Sequence, residues 1–310
     1  MLLSNVSTTH QQGFVDVAAV NALHGNQTIV SDSNTNTVSV YGADGRRHAL
    51  LSTGLSQPEG LTTDAAETLY VANAQLHNVV VYSKPYRSIG LTLDDSDEYP
   101  TDVAVSNTGV VGVTNIQSTA GTGGAVRIYA KGSTSACATI TDPNWSGMYF
   151  SAFDASGNLF LDGFDRNGDT LLGEISGGCG ATSIATLSAG VTIFLVGGVQ
   201  VYNGNILIED QVGPGGPLGT NTPTIYTFAP PVNGSFGQPI ATTTLTAGGN
   251  WLPVSFAIMK NGEHIWIAHS GIAAGRVEYS YPRGLLVKSF DDSRYVTPIG
   301  IAVNPAAIPR

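Results

Sequence analysis

Charge is scarce in this chain. Asp, Glu, Lys and Arg together make up 12% of its 310 residues, and only 13 of them are Lys or Arg against 23 Asp or Glu. A formal net charge of −10 and a pI near 4.8 argue against nucleic-acid binding, because phosphate contacts need clustered basic side chains. The same deficit argues against anionic membrane surfaces. No run of about 18 apolar residues occurs, so a membrane-inserted helix is not expected. Apolar spacing at helical period never persists beyond about two turns. The leading Met1-Leu2-Leu3-Ser4 is too short for a signal peptide, and removal of such a signal is favoured over a cytosolic origin. Cysteine is limited to Cys137 and Cys179. From the sequence, a disulfide between them and two free buried thiols stand as equals, since neighbouring outer strands can be too far apart for bonding geometry.

What is present is glycine, 38 residues of it, together with abundant Ser, Thr and Asn. That composition suits many short strands joined by tight turns. It also resembles secreted bacterial proteins, so a secreted or periplasmic location is expected. Residues 57–83, QPEGLTTDAAETLYVANAQLHNVVVYS, set the pattern. They read as strands at Gly60–Thr63, Thr68–Ala72 and Val79–Tyr82, with a fourth near Ser88–Leu93. Leu, Val, Tyr and Thr there fit a half-buried pleated surface.

The unit recurs. Gln27–Tyr41, Tyr99–Asn115, Met148–Asp165, Val196–Gln211 and Ser255–Ser270 each copy part of it. The spacing is roughly 42 to 58 residues, close to the blade length of propellers. Residues 297–304, TPIGIAVN, repeat a first strand and no second strand follows them. The reading is therefore an all-β, six-bladed β-propeller of four-stranded antiparallel blades, its ring closed by the C-terminal strand. Residues 27–310 form that domain and 1–26 a leader, in which Phe14–Val20 competes for the closing position.

The recurring P-x-G, G-N-L-Y-V-A-D-like and N-x-V-x-V-Y segments resemble the NHL-repeat propellers. They are also similar to the gluconolactonase-like, senescence-marker group, over about residues 27 to 304. The Trp-Asp signature of WD40 blades is absent at the expected strand ends. In gluconolactonase-like propellers, oxygen ligands at the channel mouth hold a divalent ion. The resemblance implies Glu59 and Asp102 as metal positions here, for Ca²⁺ or another divalent ion. Met148, Gly198, Val254 and Ile299 at the other inner-strand starts offer no side-chain ligand, so the expectation is that no cofactor is required.

Blade topology puts the start of strand one and the end of strand two on one face. Glu59 and Asp102 start first strands. Asp32, Asn73, Asn115, Asp162, Asp210 and His269 end second strands. Asp94, Asp95, Asp97, Glu98, Asp291 and Asp292 add acidity in the approaching loops. Tyr99, Trp145, Trp251 and Tyr295 precede first strands. Rings beside carboxylates and amides suit sugars, cationic groups or peptides. Against this stands a plainer reading: Asp and Asn there cap turns, the rings wedge blades apart, and the acidic loops are solvated. Asp165-Arg166-Asn167-Gly168-Asp169 has Ca²⁺-loop spacing but lacks the later Gly and Glu, so a turn is expected. No G-x-S-x-G occurs.

The expected function is an extracytoplasmic, monomeric binding propeller for a small molecule, glycan or peptide, through Asn73, Asn115, Trp145, Asp162, Asp210 and Trp251. A metal-dependent hydrolase or lactonase is the alternative, with Glu59, Asp102 and His269 as acid–base groups. A structural unit of an extracellular assembly is a third reading.

Overall fold

The computed structural model describes residues 26–215, 222–246, 251–271, 274–291 and 294–304, with backbone alone at Trp251, Leu252, Gly271 and Asp291. Phe14–Val20 and Asp292 lie outside the described residues, as does the side chain of Asp291.

Six four-stranded antiparallel sheets form the molecule. Five of them run outward in chain order. Their inner strands are Pro58–Thr63, Glu98–Val105, Trp145–Phe153, Val196–Tyr202 and Trp251–Ile258. The remaining blade is composite: Pro298–Asn304 is its inner strand and pairs antiparallel with Gln27–Asp32. The tail thus closes the ring, and its pairing occupies two edges that would otherwise be open. We number the blades from this composite one.

Burial follows the pleat. In blade 2, Leu69 and Val71 are buried while Tyr70 between them is half-buried. Leu61, Leu69, Val71 and Val80 share one apolar cluster with Ile29, Val38 and Val40 of blade 1. Cores of this kind lie between adjacent blades, which is why one blade is not stable alone.

Cys137 and Cys179 form a disulfide with Cα atoms 5.2 Å apart. Cys179 does not sit on an outer strand. It lies in a single 3-10 turn, Gly178–Gly180, beyond the third strand of blade 4. That turn reaches back to the outer half of blade 3, so blade spacing does not separate the pair.

Candidate functional site

Every blade carries the same irregularity. The register between inner and second strand slips at Pro58/Leu61, Pro100/Asp102, Met148/Ser151, Val196/Val199 and Pro253/Ser255, and at Val30/Asp32 in the composite blade. A bulge re-aims the side chains it carries. Counting from the paired residues, Glu59, Thr101, Tyr149, Gly197, Val254 and Ile299 occupy equivalent positions around the axis. Met148 and Gly198, expected in that place, are each displaced by one residue: Met148 is fully buried in the blade core and Tyr149 takes its position, and Gly197 takes that of Gly198.

These bulges rim a cavity of about 500 Å³ to which all six blades contribute. Tyr99, Tyr149, Phe150 and Phe164 supply rings, and Gln57, Gln75, Gln117 and Gln211 supply amides. Tyr149 meets Phe164 edge-on at 5.4 Å. Among the described residues, Glu59 is the charged residue of the lining. Its Oε1 accepts from Gln57 Nε2 at 3.1 Å. Burial pushes its carboxyl up to about 7, and the Gln57 hydrogen bond pulls the other way. Gln211 Nε2 donates to the Val196 carbonyl, leaving its buried Oε1 without a hydrogen-bond partner.

Asp102 does not share this cavity. It lines a smaller one of about 90 Å³ toward the far ends of the inner strands, with Asp64, Ser106, Asn107, Ser151 and Gln200. Its Oδ2 accepts from the Ser151 amide at 2.9 Å, and the Val103 amide also bonds the carboxylate. Burial outweighs those bonds and raises it to about 7. A hard cation wants six or more oxygens. Glu59 and Asp102, in separate cavities and with Asp102 held by amides, do not fit one shared ion. Among the described residues, no group of three or more His, Cys, Asp or Glu side chains is arranged to hold a metal.

His269 is buried in the second strand of blade 6, opposite Pro253 and Gly275, and borders neither cavity. Glu59, Asp102 and His269 are therefore not gathered in one pocket.

The strand-two ends are clasps. Asn73 Oδ1 accepts from the Ser56 amide and its Nδ2 donates to Gly54 O and Asn78 Oδ1. Asp210 accepts from the amides of Phe194, Leu195 and Val212. Asp32 accepts from Thr35, Val296 and Thr297. Asn115 Nδ2 donates to Ala125 O. Each holds nearby loop backbone rather than facing the cavity. Asp162 lies one register step earlier and accepts from Phe150 N across the bulge. Glu209 does the same for Gly198 N of its own blade. Both are fully buried, and burial raises both, Glu209 to about 8.

Of the four rings singled out in sequence, Tyr99 lines the cavity, with its ring edge-to-face with His77 at 4.7 Å. Trp145 is buried against Gly163, Gly173 and Ile184. Tyr295 is buried 6.3 Å from Tyr41 and acts as a wedge. The Trp251 side chain lies outside the described residues. In the acidic loop, Asp95 is buried rather than solvated; it accepts from Tyr129 and pairs with Arg127 at 3.6 Å. Asp165 accepts from the amides of Asn167 and Asp169, an ordinary turn. The residues not anticipated are Tyr149, Phe150, Phe164 and the four glutamines. A sequence signal existed for three of them: Gln75, Gln117 and Gln211 each fall one or two places after a strand-ending Asn or Asp.

No family model matches the chain, and no curated protein matches its sequence. Solved structures do match. A chain of a Nidogen/Laminin complex aligns with TM-score 0.65 and 13% identity, over 90% of this chain and 98% of that one. A protein of unknown function from Bacteroides caccae aligns with TM-score 0.65 and 10% identity, over 90% and 98%. Hydrazine synthase from Kuenenia stuttgartiensis aligns with TM-score 0.59 and 14% identity, over 81% and 72%. Identities this low define the fold: a six-bladed β-propeller, consistent with the NHL-like resemblance of the sequence.

Proposed function

We propose that this chain is a monomeric, extracytoplasmic binding propeller whose ligand sits in the axial cavity around Glu59. The observation that carries the reading is the lining itself. Among the described residues, four rings, four glutamines and one carboxylate from blades 2 to 5 converge on about 500 Å³, with Ile299 and Val254 completing the wall from blades 1 and 6, and that volume is typical of small-molecule sites. The disulfide supports an oxidising compartment. One structural neighbour comes from a protein–protein complex, so peptides belong among the ligands tested.

The test is a glycan, peptide and small-molecule panel probed with the wild type and with Gln117→Trp. Gln117 is exposed at the cavity edge, so the larger ring blocks entry with little cost to the core. A ligand bound by the wild type and lost in the variant is expected. Ligands that bind both proteins equally would place recognition elsewhere and overturn the reading. A stoichiometric divalent ion, with a hydrolytic activity lost in Glu59→Gln, would favour the metal-dependent hydrolase instead.

A further inference from the structure

We infer that the ligand of this cavity is a small protonated primary amine with an apolar body; this rests on the binding reading above. Two acceptors in the lining lack protein donors. Glu59 Oε1 takes Gln57, while no described residue donates to Oε2. Gln211 is buried, with Nε2 spent on the Val196 carbonyl and Oε1 unpartnered. Of the two, Glu59 is the one a ligand can reach, since it is partly exposed while Gln211 Oε1 is sealed from solvent; an N–H brought to that carboxylate makes a charge-assisted hydrogen bond. An ammonium group brings three donors and the charge opposite to Glu59.

The rest of the lining agrees. No Lys, Arg or His is among the described lining residues, so nothing there neutralises Glu59 and nothing attracts an anion. Tyr99, Tyr149, Phe150 and Phe164 offer ring surface to a cation and to an apolar body. Tyr99 and Tyr149 are the other titratable groups of the lining, and Gln57 is the neighbour bonded to the carboxylate. A neutral sugar would leave the charge of Glu59 unmatched.

The experiment is calorimetric titration at pH 8 with benzylamine, benzyl alcohol, benzoate and glucose. Benzylamine is expected to bind at least about tenfold tighter than benzyl alcohol, the scale of one charge-assisted hydrogen bond, and benzoate not to bind. In Glu59→Gln that preference disappears while benzyl alcohol binding persists. The wild type supplies an independent check should the variant fold poorly. Between pH 8 and pH 5.5 benzylamine keeps its proton, so affinity falling with pH reports protonation of Glu59. Equal affinity for benzylamine and benzyl alcohol, tighter binding of glucose, or no benzylamine binding would overturn the amine assignment. The binding reading would survive any of these if another ligand is lost in Gln117→Trp, and would fall if none is.

Discussion

Gly60 shows how tightly the axis is built. A Cβ added there would lie 2.1 Å from Asp102 Oδ1 and 2.7 Å from the Thr101 carbonyl. Neither neighbour can retreat easily, because Asp102 is anchored to Ser151 of the next blade. Gly60→Ala should therefore lower stability by roughly 1–3 kcal/mol, the usual cost of overpacking, read as a shift of the urea midpoint. Close approach also explains the buried carboxylates Asp102, Asp162 and Glu209. They bond bulge amides where backbone polar groups would otherwise go unpaired. Their pKa values lie above the usual carboxylate range, so the folded state holds protons that the unfolded chain has released. The stability these groups contribute is then fully present below about pH 4 and is lost as pH rises toward about 7 for Asp102 and about 8 for Glu209. Glu209→Gln keeps an acceptor for Gly198 and cannot ionise. It should flatten the decline of melting temperature between pH 5 and pH 8; an unchanged slope would remove Glu209 from this role.

The strands themselves were legible because their apolar residues alternate and their turns are marked by Gly, Asn and Asp. Leu69–Asn73 and Asn78–Tyr82 fall within a residue or so of the expected bounds. The closing strand at residues 298–304 was legible for the same reason, because TPIGIAVN copies the first strand of the other blades. The bulges were not. A slip of register leaves no mark in an alternating pattern, so Tyr149 and Met148 could not be told apart. Nor does alternation say whether a polar strand end faces a cavity or its own loop, which is why Asn73, Asn115 and Asp210 looked like site residues. The disulfide was undecidable for a related reason, since the turn at Gly178–Gly180 sets the reach of Cys179. That bond closes a segment with a sequence separation of 42. Replacing both cysteines with Ser should cost about 4 kcal/mol by the chain-entropy estimate. Equilibrium unfolding with and without reductant checks this; no difference would mean that the blade 3–blade 4 seam holds without it.

Closure of the wheel depends on a seam that the tail strand does not make alone. Arg276 of blade 6 is buried with its guanidinium 3.5 Å from the Tyr41 ring centroid and 4.5 Å from that of Phe290. Its Nη2 donates to the Gly45 carbonyl of blade 1 at 2.9 Å. Desolvated cation–ring contacts are worth about 2 kcal/mol or more. Arg276→Ala should lower the urea midpoint accordingly and raise protease cleavage between blades 6 and 1. Cleavage confined to other blades would argue that this seam is not the weak point. Closure in turn sets six bulges around one axis and adds Ile299 and Val254 to the wall that carries the rings, amides and Glu59. The most direct test is methyl NMR of the intact chain titrated with benzylamine. The account predicts saturable shifts at Ile116, Val196, Val254 and Ile299, which line the Glu59 cavity, with Val105 and Val201 at the opposite end of the channel unmoved. Shifts confined to Val105 and Val201, or to the outer strands, would contradict it.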